Sequence, residues 1–418
     1  MNKMWISCFK AGMWLVVCVV VTLVCGRFSV RGEDAPFITR FVRTNSQPLC
    51  WISYTNCSDR NFDYFVQSSS NLVDWVDTQA VRGSISNRTV IRSVVIASPK
   101  QSFHRIVKTP HINVPMFSMA IQAGSNITFM GNGIVIDSFD SSSSVYSSWS
   151  TNSLWGTNLV YDILKRNDHG DVGTDSSLTD SAMLGNAAIY GKLHTGPGSS
   201  TATAQIGANG IVGDLAFQAG GGNGFQTNAW LYDMNVAFTP VVAPSGPALP
   251  APSYSTYSNI ISVFNFNQAD QLYVLNQPLN GQVVVSAPNV VIWAKAGINF
   301  SGTTGGLFIA PGAGVVIYVG DNSGSSVSVN LNGQGGVNAN GYAKNCQIYG
   351  MTTCTSIDMV SYAAFVGTIY APNADLRAGS GGNNTADSSG AIIAKSITLS
   401  GHWNFHYDEN LKNSGLYW

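Results

Sequence analysis

The densest group of side chains that could do chemistry lies in one glycine-containing loop. Its members are Asp168, His169, Asp171, Asp175 and Asp180. Carboxylate oxygens gathered in a loop are the ligands that calcium prefers, so Asp168, Asp171 and Asp175 are candidate calcium ligands. The spacing does not fit the EF-hand pattern, and short Asp side chains also favour turns because they bond to their own backbone. We therefore favour the interpretation as a turn, without a cofactor.

A second group alternates with aromatic residues near the C-terminus. His402, Asn404, His406 and Asp408 fall on one face of a predicted strand, opposite Trp403, Phe405 and Tyr407. His402, His406 and Asp408 are candidate metal ligands. Imidazoles on one strand face still need a third ligand within reach, and a last strand also presents polar residues simply to close a repetitive fold.

Paired carboxylates would indicate a glycosidase or a polysaccharide lyase. Between residues 283 and 418 the acidic residues are Asp321, Asp358, Asp375, Asp387, Asp408 and Glu409. No two of them are separated by one period of the repetitive fold predicted below, which is the spacing that would stack them. The chain also lacks Gly-x-Ser-x-Gly and the phosphate-binding G-x-x-x-x-G-K-[ST] loop. These observations argue against a catalytic centre.

Residues 1–32 have the layout of a secretory signal peptide. Two lysines precede an uncharged, largely apolar run from Ala11 to Gly26, and an arginine follows it. The run is short for a bilayer span of about 20 residues, so an uncleaved membrane anchor is the weaker alternative. Val17 and Val24 stand before cysteines where lipoprotein processing needs a small residue, and Val17 stands where a prepilin would carry Glu. The sequence predicts export to the extracellular space, cell surface or periplasm.

Four cysteines follow this leader, namely Cys50, Cys57, Cys346 and Cys354. An even number in an oxidising compartment predicts two disulfides, and the short separations of Cys50 from Cys57 and of Cys346 from Cys354 favour two local loops. Four cysteines allow three connectivities, and the sequence does not choose among them. Zinc is the alternative, but neither pair has C-x2-C spacing and no histidine stands near.

Residues 37–108 alternate apolar and polar positions in short runs, which predicts a small antiparallel β-sandwich. The runs YFVQSSSNLVDW (64–75) and SFHRIV (102–107) resemble an accessory β-module that is common in large exported bacterial proteins. That module is noncatalytic, so the resemblance implies no site here.

From residue 119 to residue 410 the chain consists of very short apolar runs separated by Gly, Asn and Pro. The clearest runs begin at Val283, Val291, Ile298, Leu307 and Val315. Three successive runs make up one repeat, so the repeat aligns Val283 with Leu307 and Val291 with Val315. Later, Ile369 with Ile392 and Leu376 with Leu399 repeat at nearly the same interval. A period of about 23–24 residues predicts an all-β, right-handed parallel β-helix with three faces. A β-sandwich or jelly roll is the alternative.

The predicted solenoid is interrupted twice. Residues 138–180 form an insertion, and residues 240–280 form a crossing segment that starts rich in proline and includes a mixed, helical stretch over 259–279. The solenoid would therefore begin with 119–137 and 182–217 and be completed by 281–407.

The same region resembles an uncharacterised bacterial domain found in exported and pilus-assembly-type proteins. The matching motifs are YD (161–162), NDHGDV (167–172), GNAAIYGK (185–192), TGPG (195–198), FVGTIYAPNA (365–374), GAIIAK (390–395) and GHWNFHYDE (401–409). The resemblance covers residues 120–410 and implies a β-helix-like surface domain without assigned chemistry.

Composition limits the partners. Charged residues are only 10% of the chain, the net charge is −1 and hydrophobic residues are 45%, which indicates a folded rather than a disordered protein. Without a basic stripe, nucleic acid is not expected as a partner. Membrane contact is expected only through an uncleaved leader.

We expect an exported structural or adhesive protein that binds surface polysaccharide or protein, with a carbohydrate-active enzyme and a pilus or secretion component as alternatives. The sequence leaves the oligomeric state open.

Overall fold

The computed structural model describes residues 115–152, 156–258, 260–360, 363–380 and 385–413, together with the backbone of seven strands in the first 114 residues. The protein is predominantly β, with 49% strand, 6% helix and one large parallel sheet. It divides into two compact units, Met1–Val114 and Pro115–Trp418. Among the described residues, no helix is long and apolar enough to cross a membrane.

The first unit contains antiparallel strands in two sheets. The strands are β1 (Val17–Val19), β2 (Phe37–Arg43), β3 (Leu49–Thr55), β4 (Phe62–Ser69), β5 (Val76–Arg82), β6 (Ile91–Ile96) and β7 (Phe103–Pro110). One sheet has the order β1-β7-β4-β5 and the other β2-β3-β6. The predicted antiparallel pairing over 37–108 is found. Apart from β1, the predicted leader lies outside the described residues.

The second unit is built from short strands joined by turns. The strands before the crossing segment are β8 (Ile121–Ala123), β9 (Ile127–Met130), β10 (Asn132–Phe139), β11 (Ser148–Asn152), β12 (Gly156–Val160), β13 (Val172–Thr174), β14 (Ala182–Met183), β15 (Asn186–Tyr190), β16 (Leu193–His194), β17 (Ala204–Gln205), β18 (Ile211–Gly213), β19 (Gly224–Phe225) and β20 (Trp230–Leu231). The strands that follow are β21 (Ala248–Leu249), β22 (Tyr254–Tyr257), β23 (Ile260–Phe266), β24 (Leu272–Leu275), β25 (Leu279–Asn280), β26 (Gln282–Val285), β27 (Val290–Ala294), β28 (Ile298–Phe300), β29 (Gly306–Ile309), β30 (Val315–Val319), β31 (Val327–Leu331), β32 (Gly336–Val337), β33 (Cys346–Gly350), β34 (Cys354–Val360), β35 (Val366–Gly379), β36 (Ala386–Ser400) and β37 (Trp403–Asp408). The helices are α1 (Leu215–Ala219) and three 3-10 turns, Ile163–Lys165, Ala343–Asn345 and Glu409–Asn413.

From β23 to β34 the chain visits three parallel ladders in rotation. One ladder runs β23-β26-β29-β32, the second β24-β27-β30-β33 and the third β25-β28-β31-β34. The long strands β35 and β36 then extend the second and third ladders together. Within the described part of residues 115–413, the named strands pair in parallel except in the hairpins β11–β12 and β22–β23. This parallel pairing weighs against a sandwich or jelly roll, which would be antiparallel.

The ladders do not end at the C-terminus but continue into the start of the unit. β36 pairs in parallel with β8 and β9, and β37 pairs with β10. From there the ladders run on through β13, β14 and β15. Strands from the two ends of the unit are therefore neighbours.

The core of the second ladder is a column of stacked isoleucines. Consecutive pairs in the register are Ile292, Ile317, Ile348, Ile369, Ile392 and Ile121. Each of these side chains is buried. Isoleucine suits this place because its branched Cβ packs well on a pleated surface, and burial of one such side chain stabilises by about 1.5–3 kcal/mol.

The predicted registers hold in part. Val283 pairs with Leu307 and Ile369 pairs with Ile392, as the predicted period requires. The predicted partner of Val291 is off by one position, because Val290 pairs with Val315.

The predicted pair Leu376 with Leu399 is wrong by two positions, since Leu376 pairs with Ile397. The cause is an irregularity between Ala371 and Asp375 of β35, where β35 has more residues than the matching part of β36. A corner inside a long strand can thus shift the register on one side of it only.

Two other expectations are corrected. The stretch predicted as helical contains β23, β24 and β25, because Val263 and Phe266 turn into the core and β23 pairs in parallel with β26. The insertion predicted over 138–180 contains the β11–β12 hairpin, but the ladder resumes earlier, at Val172 in β13.

The predicted disulfide between Cys346 and Cys354 is also wrong, because both are free and buried. Cys346 begins β33 and Cys354 begins β34. A short strand at about 3.3 Å per residue separates its ends by well over the roughly 7 Å that a disulfide allows between Cα atoms. Burial raises the pKa of both thiols to about 12, so they behave as small apolar core residues. The side chains of Cys50 and Cys57 lie outside the described residues.

Candidate functional site

A group of titratable side chains lies where β10, β36 and β37 meet. The register sets Asp137 of β10 directly opposite His406 of β37, and Ser389 of β36 opposite the same histidine. Apolar residues on the other face of β37 point into the core, where Trp403, Phe405 and Tyr407 are buried. Alternation along these strands therefore directs the polar side chains to the outer face of the sheet.

His406 is held from three sides. Its Nδ1 lies 2.6 Å from Asp137 Oδ1, and its Nε2 lies 3.4 Å from Asp387 Oδ1. The ring of Tyr161 stacks on the imidazole, with centroids 3.4 Å apart and planes at 13°. The side chains of His406 and Asp137 are 3% and 0% exposed, whereas that of Asp387 is 60% exposed. Both nitrogens of His406 are engaged, so neither is free to bind a metal or to take a proton from a substrate.

Residues of the insertion cover His406 and Asp137. Tyr161 donates its hydroxyl hydrogen to Asp137 Oδ2 at 2.7 Å. Arg166 Nη1 lies 4.0 Å from the same oxygen, and its guanidinium also stacks on Tyr190 and donates to that phenol. We call Asp137, Tyr161, Arg166, Asp387 and His406 the polar junction.

Charge in the polar junction is balanced by pairing. Burial lowers the pKa of His406, but hydrogen bonds and charges from Asp137 and Asp387 outweigh it and raise that pKa overall. The hydrogen bond from His406 lowers the pKa of Asp387. Burial, followed by the charge of Asp137, raises the pKa of the Tyr161 phenol, which stays protonated and donates. The junction therefore favours a charged imidazole between two carboxylates.

A second set of contacts ties the insertion to the end of the chain. Glu409 Oε1 lies 3.0 Å from His169 Nδ1 and accepts hydrogen bonds from Ser138 Oγ at 2.8 Å and Asn167 Nδ2 at 3.0 Å. The hydrogen bond with Glu409 raises the pKa of His169. Burial raises and these hydrogen bonds lower the pKa of Glu409, with a net lowering. The motifs NDHGD and HYDE, far apart in sequence, meet here.

The hairpin β11–β12 belongs to this anchored insertion. Lys165 Nζ donates to the carbonyls of Ser144 at 2.9 Å and Ser147 at 2.8 Å, which ties the two ends of the hairpin together. Large apolar side chains in the hairpin and in the segments before and after it are exposed to solvent: Val145, Tyr146, Trp149, Ile163 and Leu164. Exposed apolar side chains that are held in place by such contacts are typical of a contact surface.

The aspartates predicted as calcium ligands do not converge. Asp168 accepts from Leu215 N, Asp171 from Lys192 N and Asp175 from Val236 N. Each carboxylate thus fastens a different backbone segment that is distant in sequence, whereas the interpretation as turns expected bonds to the local backbone. Within the described ranges, no group of three or more His, Cys, Asp or Glu side chains is arranged to hold a metal ion.

The predicted C-terminal ligands are also separated. His406 belongs to the polar junction, and His402 packs against Gly133 at the start of β10. Asp408 is buried and accepts hydrogen bonds from Ser141 N at 3.1 Å, Ser141 Oγ at 2.8 Å and Asn410 N at 3.2 Å.

A further histidine has a similar environment. His194 Nδ1 lies 2.8 Å from Asp233 Oδ1, and its Nε2 lies 3.6 Å from Asp171 Oδ2. Burial lowers its pKa, but these two carboxylates raise it overall. The arrangement joins β16 to the segment after β20, so it also fastens chain segments together.

Sequence reasoning found His406 and its strand but missed Asp137, Arg166 and Asp387 as its neighbours. Asp137 stands in a strand of buried residues, and a carboxylate on such a strand is a signal that a partner is needed. The identity of that partner depends on the pairing of β10 with β37, which no local pattern shows.

Residues 273–414 match the model of a family described as a domain of unknown function, DUF7305. Comparison with curated proteins and with solved structures gives no match. A domain of unknown function is therefore present over these residues, which bears out the predicted resemblance in its coarser form. The context of exported and pilus-type proteins stays a prediction.

Proposed function

We propose that residues 115–413 form a parallel β-solenoid that acts as the structural, contact-making domain of an exported cell-surface protein. The observation that carries this proposal is the closed polar junction, in which Asp137 and His406 are almost completely buried by Tyr161 and Arg166. Asp137 and His406, the acid–base pair of the polar junction, thus join strands and do not face a substrate.

The solenoid is supported by the order in which the chain visits its ladders. β26, β27 and β28 lie on three different ladders, and β29, β30 and β31 follow them in the same order. A chain that returns to the same ladder every third strand, always in parallel, fits a coil that winds around one core. The isoleucine column is the apolar seam that such a coil requires.

Contact is supported by what the surface offers. The half-buried carboxylate of Asp358 is paired with Arg377 at 2.8 Å, and the exposed carboxylate of Asp375 with Lys395 at 3.2 Å. The hairpin of the insertion instead exposes aromatic and aliphatic side chains, with Trp149 65% and Leu164 91% exposed. Apolar side chains on a fixed hairpin suit binding, whereas neutralised carboxylates do not suit acid–base catalysis. Export is supported by the signal-peptide layout of residues 1–32.

A carbohydrate-active enzyme is the second candidate, and it rests on Asp387. The side chain of Asp387 is 60% exposed, against 25% for that of Arg166, and it lies beside a buried histidine. A glycosidase needs a second carboxylate facing the same bond. Its nearest candidate, Asp137, is fully buried behind His406, so we favour contact over turnover.

The test separates contact from turnover with one protein preparation. Purified protein is sedimented with bacterial cell-envelope fractions, and in parallel it is incubated with a panel of polysaccharides that are assayed for new reducing ends and unsaturated sugars. We expect retention by the envelope and no product. Product formed by the wild type and lost in Asp387→Asn, but not in the exposed control Asp375→Asn, would overturn the proposal in favour of the enzyme.

A further inference from the structure

β11 is the outer strand of this hairpin. In the described part of the chain it pairs only with β12. The other side of β12 is covered, since Asn158 Nδ2 donates to the Asn340 carbonyl at 2.8 Å and Leu159 N donates to the Tyr342 hydroxyl at 3.4 Å. Among the described residues, the β12 side of the hairpin is therefore covered, and no strand pairs on the β11 side.

The register shows which backbone groups of β11 point outward. Leu159 N–H points at Tyr342, away from β11, so Trp149 and Leu159 form a non-hydrogen-bonded pair. Antiparallel pairs alternate, so Thr151 and Thr157 form another such pair. The N–H and C=O groups of Trp149 and Thr151 consequently face away from β12.

β11 lacks the features that usually protect an edge strand. Its sequence, Ser-Trp-Ser-Thr-Asn, contains no lysine and no proline, and its register with β12 has no bulge. Edge strands of monomeric proteins commonly carry such features because open backbone groups otherwise recruit another strand. In the described part of the chain, the outward groups of Trp149 and Thr151 are thus available to another strand.

Exposed apolar side chains lie in β11 and in the segments that flank the hairpin in sequence. Trp149 lies in β11 itself, Val145 and Tyr146 precede it, and Ile163 and Leu164 follow β12. The anchoring of the insertion through Tyr161 and Lys165 holds them in place before any partner arrives. Association therefore costs little ordering of this surface.

We propose that β11 pairs antiparallel with β11 of a second copy of this chain, which makes a two-fold symmetric dimer. This inference rests on the proposed contact function and names its partner. With Ser150 on the two-fold axis, Trp149 of one copy lies opposite Thr151 of the other, and the outward groups of both residues meet as hydrogen-bonded pairs. The same symmetry places the exposed Trp149 side chains of the two copies on one face of the paired strands, close to the axis.

Charge supports a second copy as the occupant. The net charge of the chain is −1, so two copies repel each other little. Within the hairpin, Asp162 accepts from Ser148 Oγ and Leu164 N, and Lys165 donates to two carbonyls, so the charged groups beside the edge are already used. A lipid bilayer is disfavoured, because each unpaired backbone group of β11 would cost several kcal/mol in hydrocarbon.

The decisive variant is Thr151→Pro. Proline removes the outward N–H of residue 151 and leaves the hydrogen bonds to β12, which come from the alternate residues. Thr151→Val keeps that N–H and is the matched control, since both variants lose the contact between the hydroxyls of Thr151 and Thr157. Trp149→Lys is the second variant, because it adds a charge to the edge at a side chain that is 65% exposed.

The measurement is sedimentation velocity of the full chain over a range of concentrations, with circular dichroism as the check on folding. We expect a dimer for the wild type and Thr151→Val, and a dissociation constant raised at least about tenfold in Thr151→Pro and Trp149→Lys. A wild type that stays monomeric, or folded Thr151→Pro and Trp149→Lys variants that dimerise as the wild type does, would overturn the inference. Envelope retention without dimerisation would overturn this inference alone, whereas dimerisation with Asp387-dependent turnover would overturn the proposed function alone.

Discussion

At the scale of single residues, Asp408 shows what burial does to a group that looks like a metal ligand in the sequence. Its carboxyl group is 1% exposed, and burial raises its pKa to about 6 despite hydrogen bonds from Ser141 and Asn410. The ordinary value is 3.8, so between these two values the folded chain holds a proton that the unfolded chain has released. Asp408 therefore stabilises the fold below pH about 4, and this contribution is lost as the pH rises through about 6.

The variant Asp408→Asn tests the direction of this pH dependence of stability. Asparagine keeps an acceptor oxygen for the Ser141 and Asn410 amides but cannot ionise. We expect the wild type to lose about 2–3 kcal/mol of unfolding free energy relative to the variant between pH 4 and pH 6. Denaturant titrations at several pH values measure the difference, and Asp375→Asn, at an exposed carboxylate, is the control. A difference independent of pH would contradict the burial of an ionisable group at this position.

At the scale of elements, the close approach of β35 and β36 depends on a pair of stacked glycines. Gly367 pairs with Gly390 in the register, and Gly390 has φ +132°. A methyl group at residue 390 would overlap the carbonyl oxygen of Gly367. Glycine is therefore required here for both conformation and space.

Gly390→Ala is expected to destabilise the protein by about 3 kcal/mol or more, because backbone must move in two adjacent strands. Gly312→Ala is the matched control, since Gly312 also has a positive φ, +79°, but its Cβ direction is open. The control should cost only about 1 kcal/mol. Thermal or urea unfolding measures both, and equal losses would show that the contact with Gly367 is unimportant.

At the scale of the whole molecule, the family match and the compact unit have different extents. The match covers residues 273–414, while the second unit spans Pro115–Trp418. β36 and β37 take their further pairing partners from β8, β9 and β10, which lie outside the match. Without residues 115–272, His406 would lose its hydrogen bond with Asp137 and the stacked ring of Tyr161, and β36 and β37 would lose the backbone pairing with these strands.

A fragment of residues 115–418 should therefore unfold cooperatively, with a circular dichroism spectrum dominated by β-structure. The shorter fragment 273–414 should lack a cooperative transition, because a sheet edge of β36 and β37 is exposed along its length. Thermal scans of the two fragments at equal concentration make the comparison. A cooperative transition in 273–414 would show that the return of the chain to β8–β10 is dispensable.

The sequence by itself determined the elements that local repetition controls. Apolar runs at a regular period placed Val283 opposite Leu307, and alternation assigned Trp403, Phe405 and Tyr407 to one face of β37. Such patterns are readable because side-chain direction follows from spacing along the strand. Irregular corners, such as the one in β35, are not periodic, so the predicted pairing of Leu376 failed there.

Only the tertiary structure decided what the polar residues do. Asp137 and His406 are 269 residues apart, and they meet because the last strand pairs with one of the first. Local sequence cannot encode such a contact, since it depends on where the ladders run after the crossing segment. The cysteines also depend on the tertiary structure. Their proximity in sequence suggested a disulfide between Cys346 and Cys354, but an extended strand separates them, and both are buried in the core. Spacing along the chain fixed which way each side chain points, and the order of the strands fixed what it meets.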